Sequence, residues 1–65
     1  MKPFEVISAV VDERGITVAE LSRRTGINAE LLRRSLAGNR NIYADEFIAL
    51  CNELHLTIDN FKEVA

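Results

Sequence analysis

The chain of 65 residues has one cysteine, one proline, three glycines, one histidine and no tryptophan. A lone Cys51 allows no internal disulfide and fits a reducing compartment. The longest apolar run, Val6 to Val11, is interrupted by Ser8 and closed by Asp12, well short of the roughly 20 residues that span a bilayer. No secretory segment, alternating strand pattern, repeat or low-complexity stretch is legible. His55 and Cys51 stand four residues apart, but two ligands do not make a zinc site, which needs four, or three and a water. Cys51 reads as a small core residue. Asp45, Glu46, Glu53, Asp59 and Glu63 read as a solvated acidic face, and no nucleophile stands in a recognisable pattern with a base. These absences exclude an enzyme, a membrane protein and a metal protein, and no cofactor or small-molecule ligand is expected.

What is present is the composition of a folded domain, 48% hydrophobic and 28% charged. The length allows one domain, residues 1–65. Such a chain buries only about 60% of the surface its unfolded form exposes, so its stability is modest unless it dimerises. Met1 and the lack of a tail point to a complete protein. The net charge is −2, but it is unevenly spread. Residues 1–40 carry seven basic and five acidic side chains, and residues 41–65 carry one lysine against five acids. Residues 18–40 hold five arginines against Glu20 and Glu30, a positive stretch suited to phosphates. The bland reading is that arginine is simply a good helix former on a solvated face.

Helix signals punctuate the chain. Pro3 suits the first turn of a helix that runs to Arg14 and ends at Gly15, with Phe4, Ile7, Val10 and Val11 as its apolar stripe. Thr17 followed by Glu20 reads as a capping box. Leu21 lies on the inner face of that second helix, and Gly26 stops it in a left-handed conformation. Ile27 enters the core at the turn, and Asn28 caps a third helix. Leu32 and Leu36 share one face of the third helix, and Gly38 ends it. A loop, Asn39 to Tyr43, leads to a fourth helix from about Ala44 to Leu54. Asp45 and Glu46 lie in its first turn, and Phe47, Leu50, Cys51 and Leu54 form its inner face. His55 falls where a glycine would normally close it. Thr57 caps a last short helix, with Ile58 and Phe61 facing inward. The sum is all-α, a compact five-helix bundle, and two short helices about a glycine turn match the general description of a helix-turn-helix.

These residues resemble the Cro/cI repressor-like helix-turn-helix family, also called the XRE family. The resemblance lies in Gly15-Ile16-Thr17, Leu21-Ser22, the turn Gly26-Ile27-Asn28, Leu32 in the core of the recognition helix, and Gly38. It extends to the ending from Glu53 to Phe61, and so covers nearly the whole chain. It implies a lambda-repressor-like DNA-binding domain with the motif at helices two and three, acting in a bacterial or phage-infected cytoplasm.

The N-terminal part of the second motif helix would enter the major groove of double-stranded DNA. Asn28, Ala29, Glu30, Arg33 and Arg34 would then face the bases. Arg34 is the best reader, bonding guanine O6 and N7 together, while Glu30 suits a cytosine amine and Ala29 a thymine methyl. Glu30 alternatively pairs with Arg34 within the helix. Phosphates would meet the helix start at Thr17 and Val18, the free amides near Gly38 and Asn39, and Arg40. Arg23 and Arg24 suit either DNA or the C-terminal dipole of their own helix. A homodimer on a pseudo-palindromic operator would join through Ile42, Tyr43, Phe61 and Val64, which otherwise pack as a satellite of the core.

Departures from the family pattern matter too. The family often places a buried arginine and glutamate where this chain has Val11 and Leu36. Replacing both charges by apolar residues is consistent, and direct packing of the two is expected. Val18 stands where the family often has a phosphate-binding glutamine, and Ala37 where it has an asparagine. Ser35 occupies a usually aliphatic position, and Leu31 adds an apolar residue toward the outer side. With the acidic C-terminal third, these features support an alternative: a protein-interaction module that binds a partner regulator and makes weak or no contact with DNA.

Overall fold

The computed structural model describes residues 1–62. Four α-helices follow one another: α1 (Pro3–Arg14), α2 (Val18–Thr25), α3 (Ala29–Leu36) and α4 (Ala44–Leu54). A single 3-10 turn, Ile58–Phe61, follows. No strand occurs among the described residues. The fold class is therefore the all-α one expected, with four helices and one turn in place of five helices. The reason is local. The Asn60 side chain accepts from the Thr57 amide at 2.7 Å and from the Thr57 hydroxyl, closing the segment into one tight turn.

Local chemistry sets the helix ends. Glu5 accepts from the Lys2 amide at the start of α1. Thr17 Oγ1 accepts from the Glu20 amide at 3.1 Å, which is half of the expected capping box. The other half is absent because the Glu20 carboxylate binds Arg23 and Arg24. α4 ends on His55, which takes up the left-handed conformation at φ 58° and is the one non-glycine residue described there with positive φ. Arg14 reaches across to donate to the Leu54 carbonyl at 2.7 Å, satisfying a backbone acceptor at that helix end.

Ile7 and Val11 of α1, Leu21 of α2, Ile27 of the turn, Leu32 of α3, and Leu50, Leu54 and Leu56 form the buried core. Each such side chain contributes about 1.5–3 kcal/mol when taken from water. α2 packs on both α3 and α4, and α1 packs on α3. Leu36 is half-buried and packs on the cluster that contains Val11, so both positions that lack the family's charges are apolar contributors to one core. No buried side-chain polar atom among the described residues lacks a partner.

One of two expectations fails at the far end. Ile58 does not face inward; it is 80% exposed. Phe61 packs against Phe47, with ring centroids 5.1 Å apart. In a 3-10 turn residues i and i+3 lie on one side, so Ile58 and Phe61 face the same cleft; Phe61 takes the seat against Phe47 and Ile58 is left at its rim. Together with Phe47, Ile48, Cys51 and Leu56 they line a shallow apolar cleft of about 170 Å³.

Candidate nucleic-acid interface

α2 and α3 meet at a turn held by side chains as well as by backbone. Gly26 takes φ 79° and its amide donates to the Ser22 carbonyl. A side chain there would be strained, because only glycine enters this region freely. Ser22 Oγ donates to the Ile27 carbonyl. Thr25 Oγ1 donates to the Leu21 carbonyl at 2.8 Å and accepts from the Ile27 amide at 3.3 Å. Ile27, buried, pins the turn to the core. Asn28 Oδ1 then accepts from the Glu30 and Leu31 amides at 2.9 and 3.1 Å. α3 thus leaves the turn in a fixed direction.

Its inner face is Leu32 and Ser35, both buried, with Leu36 half-buried beside them. Asn28, Ala29, Glu30, Arg33 and Arg34 are all exposed, on the side away from the core. Leu31, expected toward the outside, is half-buried. Glu30 does pair with Arg34, at 3.3 Å, and it also holds Arg33. The guanidiniums, Arg33 foremost, hold the Glu30 carboxyl below the usual carboxylate range.

The same arrangement occurs on α2, where Glu20 binds Arg23 and Arg24. The likeness is written in the chain. Ala19-Glu20-Leu21-Ser22-Arg23-Arg24 recurs ten residues later as Ala29-Glu30-Leu31-Leu32-Arg33-Arg34. The expectation of no repeat is therefore corrected. Each copy puts one glutamate against arginines at i+3 and i+4, the reach of a helix surface. Arg24 also lies 3.7 Å from Glu53 of α4. Four exposed arginines against two glutamates leave a net positive surface on α2 and α3.

The expected phosphate contacts divide. At the start of α2, Thr17 is exposed. The Val18 and Ala19 amides have no acceptor among the described residues. The Val18 side chain packs on the core. At the end of α3, by contrast, the amides are not free. Gly38 donates to the Ser35 carbonyl at 3.1 Å and Asn39 to the Arg34 carbonyl at 2.9 Å, closing the helix end. Gly38 itself takes φ 85°, and a Cβ there would lie 2.7 Å from the Phe4 ring.

Arg40 is also redirected. It lies over the Tyr43 ring at 4.7 Å and binds Glu46 and Ser35 instead of standing free. Glu46 and Glu53 are half-buried partners of arginines, so the acidic third is only partly a solvated face; Asp45 and Asp59 are exposed, and Glu63 lies outside the described residues.

Of the expected dimer surface, Ile42 and Phe61 pack on the core, Tyr43 is 62% exposed, and Val64 lies outside the described residues. The large apolar side chains left open on this side are Ile48 and Ile58. The helical period leaves Ile48 open, since it lies about 100° round α4 from Phe47 and off the stripe that Phe47, Leu50, Cys51 and Leu54 form.

No helix of the described residues is long and apolar enough to cross a membrane. No curated protein and no solved structure matches the chain. The family model for the Cro/C1-type helix-turn-helix DNA-binding domain matches residues 6–63, which takes in α1 from Val6 onward, the whole of α2, α3 and α4, and the turn between α2 and α3. The chain belongs to the Cro/C1-type helix-turn-helix DNA-binding domain family.

Proposed function

We propose that this chain is a sequence-specific transcriptional regulator that lays α3 in the major groove and binds as a two-fold dimer on a pseudo-palindromic operator. The observation that carries this reading is the outer side of α3. It presents Asn28, Ala29, Glu30, Arg33 and Arg34 to solvent from a helix whose start is fixed by the Asn28 cap. Arg34 reads guanine through two hydrogen bonds, Glu30 accepts from a cytosine amine, and Ala29 touches a thymine methyl. Arg33 bonds phosphate or base. The Val18 and Ala19 amides receive a phosphate at the start of α2. Two-fold pairing places two copies of α3 about one helical turn of DNA apart. Ile48 and Ile58, both lining the cleft beside α4, are the open apolar side chains that such pairing would cover.

That same cleft favours a second reading, in which the domain binds a partner regulator and touches DNA weakly or not at all. Selection from a pool of random duplexes at two salt concentrations separates the two. The regulator reading expects a palindromic site to be enriched, and Arg34→Ala to relax one position of it about ten- to a hundredfold. Weak binding without enrichment, unmoved by Arg34→Ala, would refute it and leave the partner reading.

A further inference from the structure

Arg40 is the one arginine among the described residues whose side chain joins three separate segments. Its Nη1 donates to Ser35 Oγ at 2.9 Å and to Glu46 Oε1 at 3.0 Å. Its Nη2 donates to Glu46 Oε2 at 3.1 Å, completing a two-pronged pair. Glu46 Oε1 also accepts from the Tyr43 amide at 3.0 Å. The Arg40 and Glu46 side chains are each only 16% exposed, and Ser35 is 1% exposed. One guanidinium therefore ties the last turn of α3 to the loop after it and to the first turn of α4. A serine fits the buried position in α3 because its hydroxyl accepts this bond.

The geometry points to Arg40 as a positioning residue for DNA reading: it fixes the C-terminal end of α3 against α4 and makes no phosphate contact itself. This inference rests on the DNA-reading function proposed above. The electrostatics support it. To reach a phosphate, Arg40 would have to leave three hydrogen bonds and uncover the Glu46 carboxylate, which would repel that same phosphate. Lysine cannot replace it, since a planar fork is needed to hold both carboxylate oxygens at once. The lever is short but sensitive. α3 has eight residues, about 12 Å of helix, so a tilt of about 10° at its far end moves its reading end by about 2 Å. A two-pronged base contact does not survive a displacement of that size.

The test compares wild type, Arg40→Met, Arg40→Lys and Glu46→Gln on the duplex enriched by selection and on a random duplex. Binding is measured from about 50 to about 200 mM salt, with circular dichroism fixing a temperature at which each variant is folded. The expected result is a loss of about tenfold or more on the enriched duplex, a much smaller loss on the random one, and an unchanged slope of log affinity against log salt. Arg40→Lys keeps the charge and should behave as Arg40→Met does. Glu46→Gln should lose the same preference although it makes the protein more positive.

Three results would overturn the inference. A slope shallower by about 0.9, with equal losses on both duplexes, would make Arg40 a phosphate contact. An unchanged preference with a lower melting temperature would make the cluster merely structural. Arg40→Lys matching wild type would show that charge alone matters. Should wild type enrich no site, the DNA-reading function itself falls, and that is visible before any variant is made.

Discussion

Glu20 and Glu30 each hold two arginines on open helix surfaces, whereas Glu46 holds one arginine in a niche between α3, a loop and α4. The residue types are the same and the distances are similar, yet the physics differs. On the open surface, water and salt screen each pair and the long side chains keep their freedom, so such pairs contribute little to stability. They remain free to exchange a glutamate for a phosphate or a base. In the niche the guanidinium is held by Glu46 and Ser35 and covered by Tyr43. Removing one partner there strands the other away from water. Exposure, more than charge, separates the arginines suited to binding from the one suited to holding.

The largest expected effect lies on the niche side. Gly38→Ala meets both the left-handed backbone and the Phe4 ring. It should cost about 2–4 kcal/mol in urea denaturation, the sum of the backbone and overpacking penalties. A loss below about 1 kcal/mol would mean that α1 does not hold this loop closed.

Glu30→Gln probes the open side. It frees Arg33 and Arg34, so affinity for random duplex should rise several-fold and the salt slope should steepen, with the melting temperature nearly unchanged. A large drop in melting temperature would erase the contrast with Glu46.

Acid sharpens the same contrast. Arg40, and after it the Tyr43 amide, hold the Glu46 carboxyl below the usual carboxylate range, and Glu46 holds the Arg40 guanidinium above its own. A carboxylate depressed on folding stabilises the fold fully above its unfolded pKa, about 4.3, and loses that contribution as the pH falls through the lower folded value. The melting temperature of wild type should therefore fall below about pH 4 more steeply than that of Glu46→Gln. Parallel curves would show that the niche pair contributes nothing to stability.

The smallest effect belongs to the far end of α4. His55→Gly relieves a left-handed non-glycine residue and should stabilise by about 0.5–1 kcal/mol without altering DNA affinity.

What was legible in the sequence follows from the range of the forces involved. The bounds of α1 to α4 rest on neighbours a few residues apart. Pro3, the Thr17 and Asn28 caps, and the positive φ of Gly26 and His55 act on their own turns, so they can be read from the chain. The exposed side of α3 is equally local, because Leu32 and Leu36 orient it. The Arg40–Glu46–Ser35 niche was not legible, since it closes only when a loop folds back between two helices. The Arg14 bond to the Leu54 carbonyl joins residues forty apart, and no periodicity announces it. The Gly38 and Asn39 amides looked free because a helix end leaves groups unpaired until the chain beyond it turns back. The apolar character of Ile58 suits an inward position, but Phe61 on the same side of the turn takes the seat against Phe47 and leaves Ile58 at the rim. The repeated Ala-Glu-Leu-x-Arg-Arg was readable, and it is the sequence signal for the paired arginines that charge counting alone blurred.

The most direct test of the account is the salt dependence of wild-type binding to its enriched duplex. If Arg23, Arg24 and Arg33 exchange their glutamates for phosphates, Arg34 for a base, and Arg40 stays in its niche, about three phosphates are neutralised per subunit. Affinity per subunit should then fall about fortyfold between about 50 and about 200 mM salt. An affinity that barely changes over that range would contradict the account, because the open arginines would then not be meeting DNA.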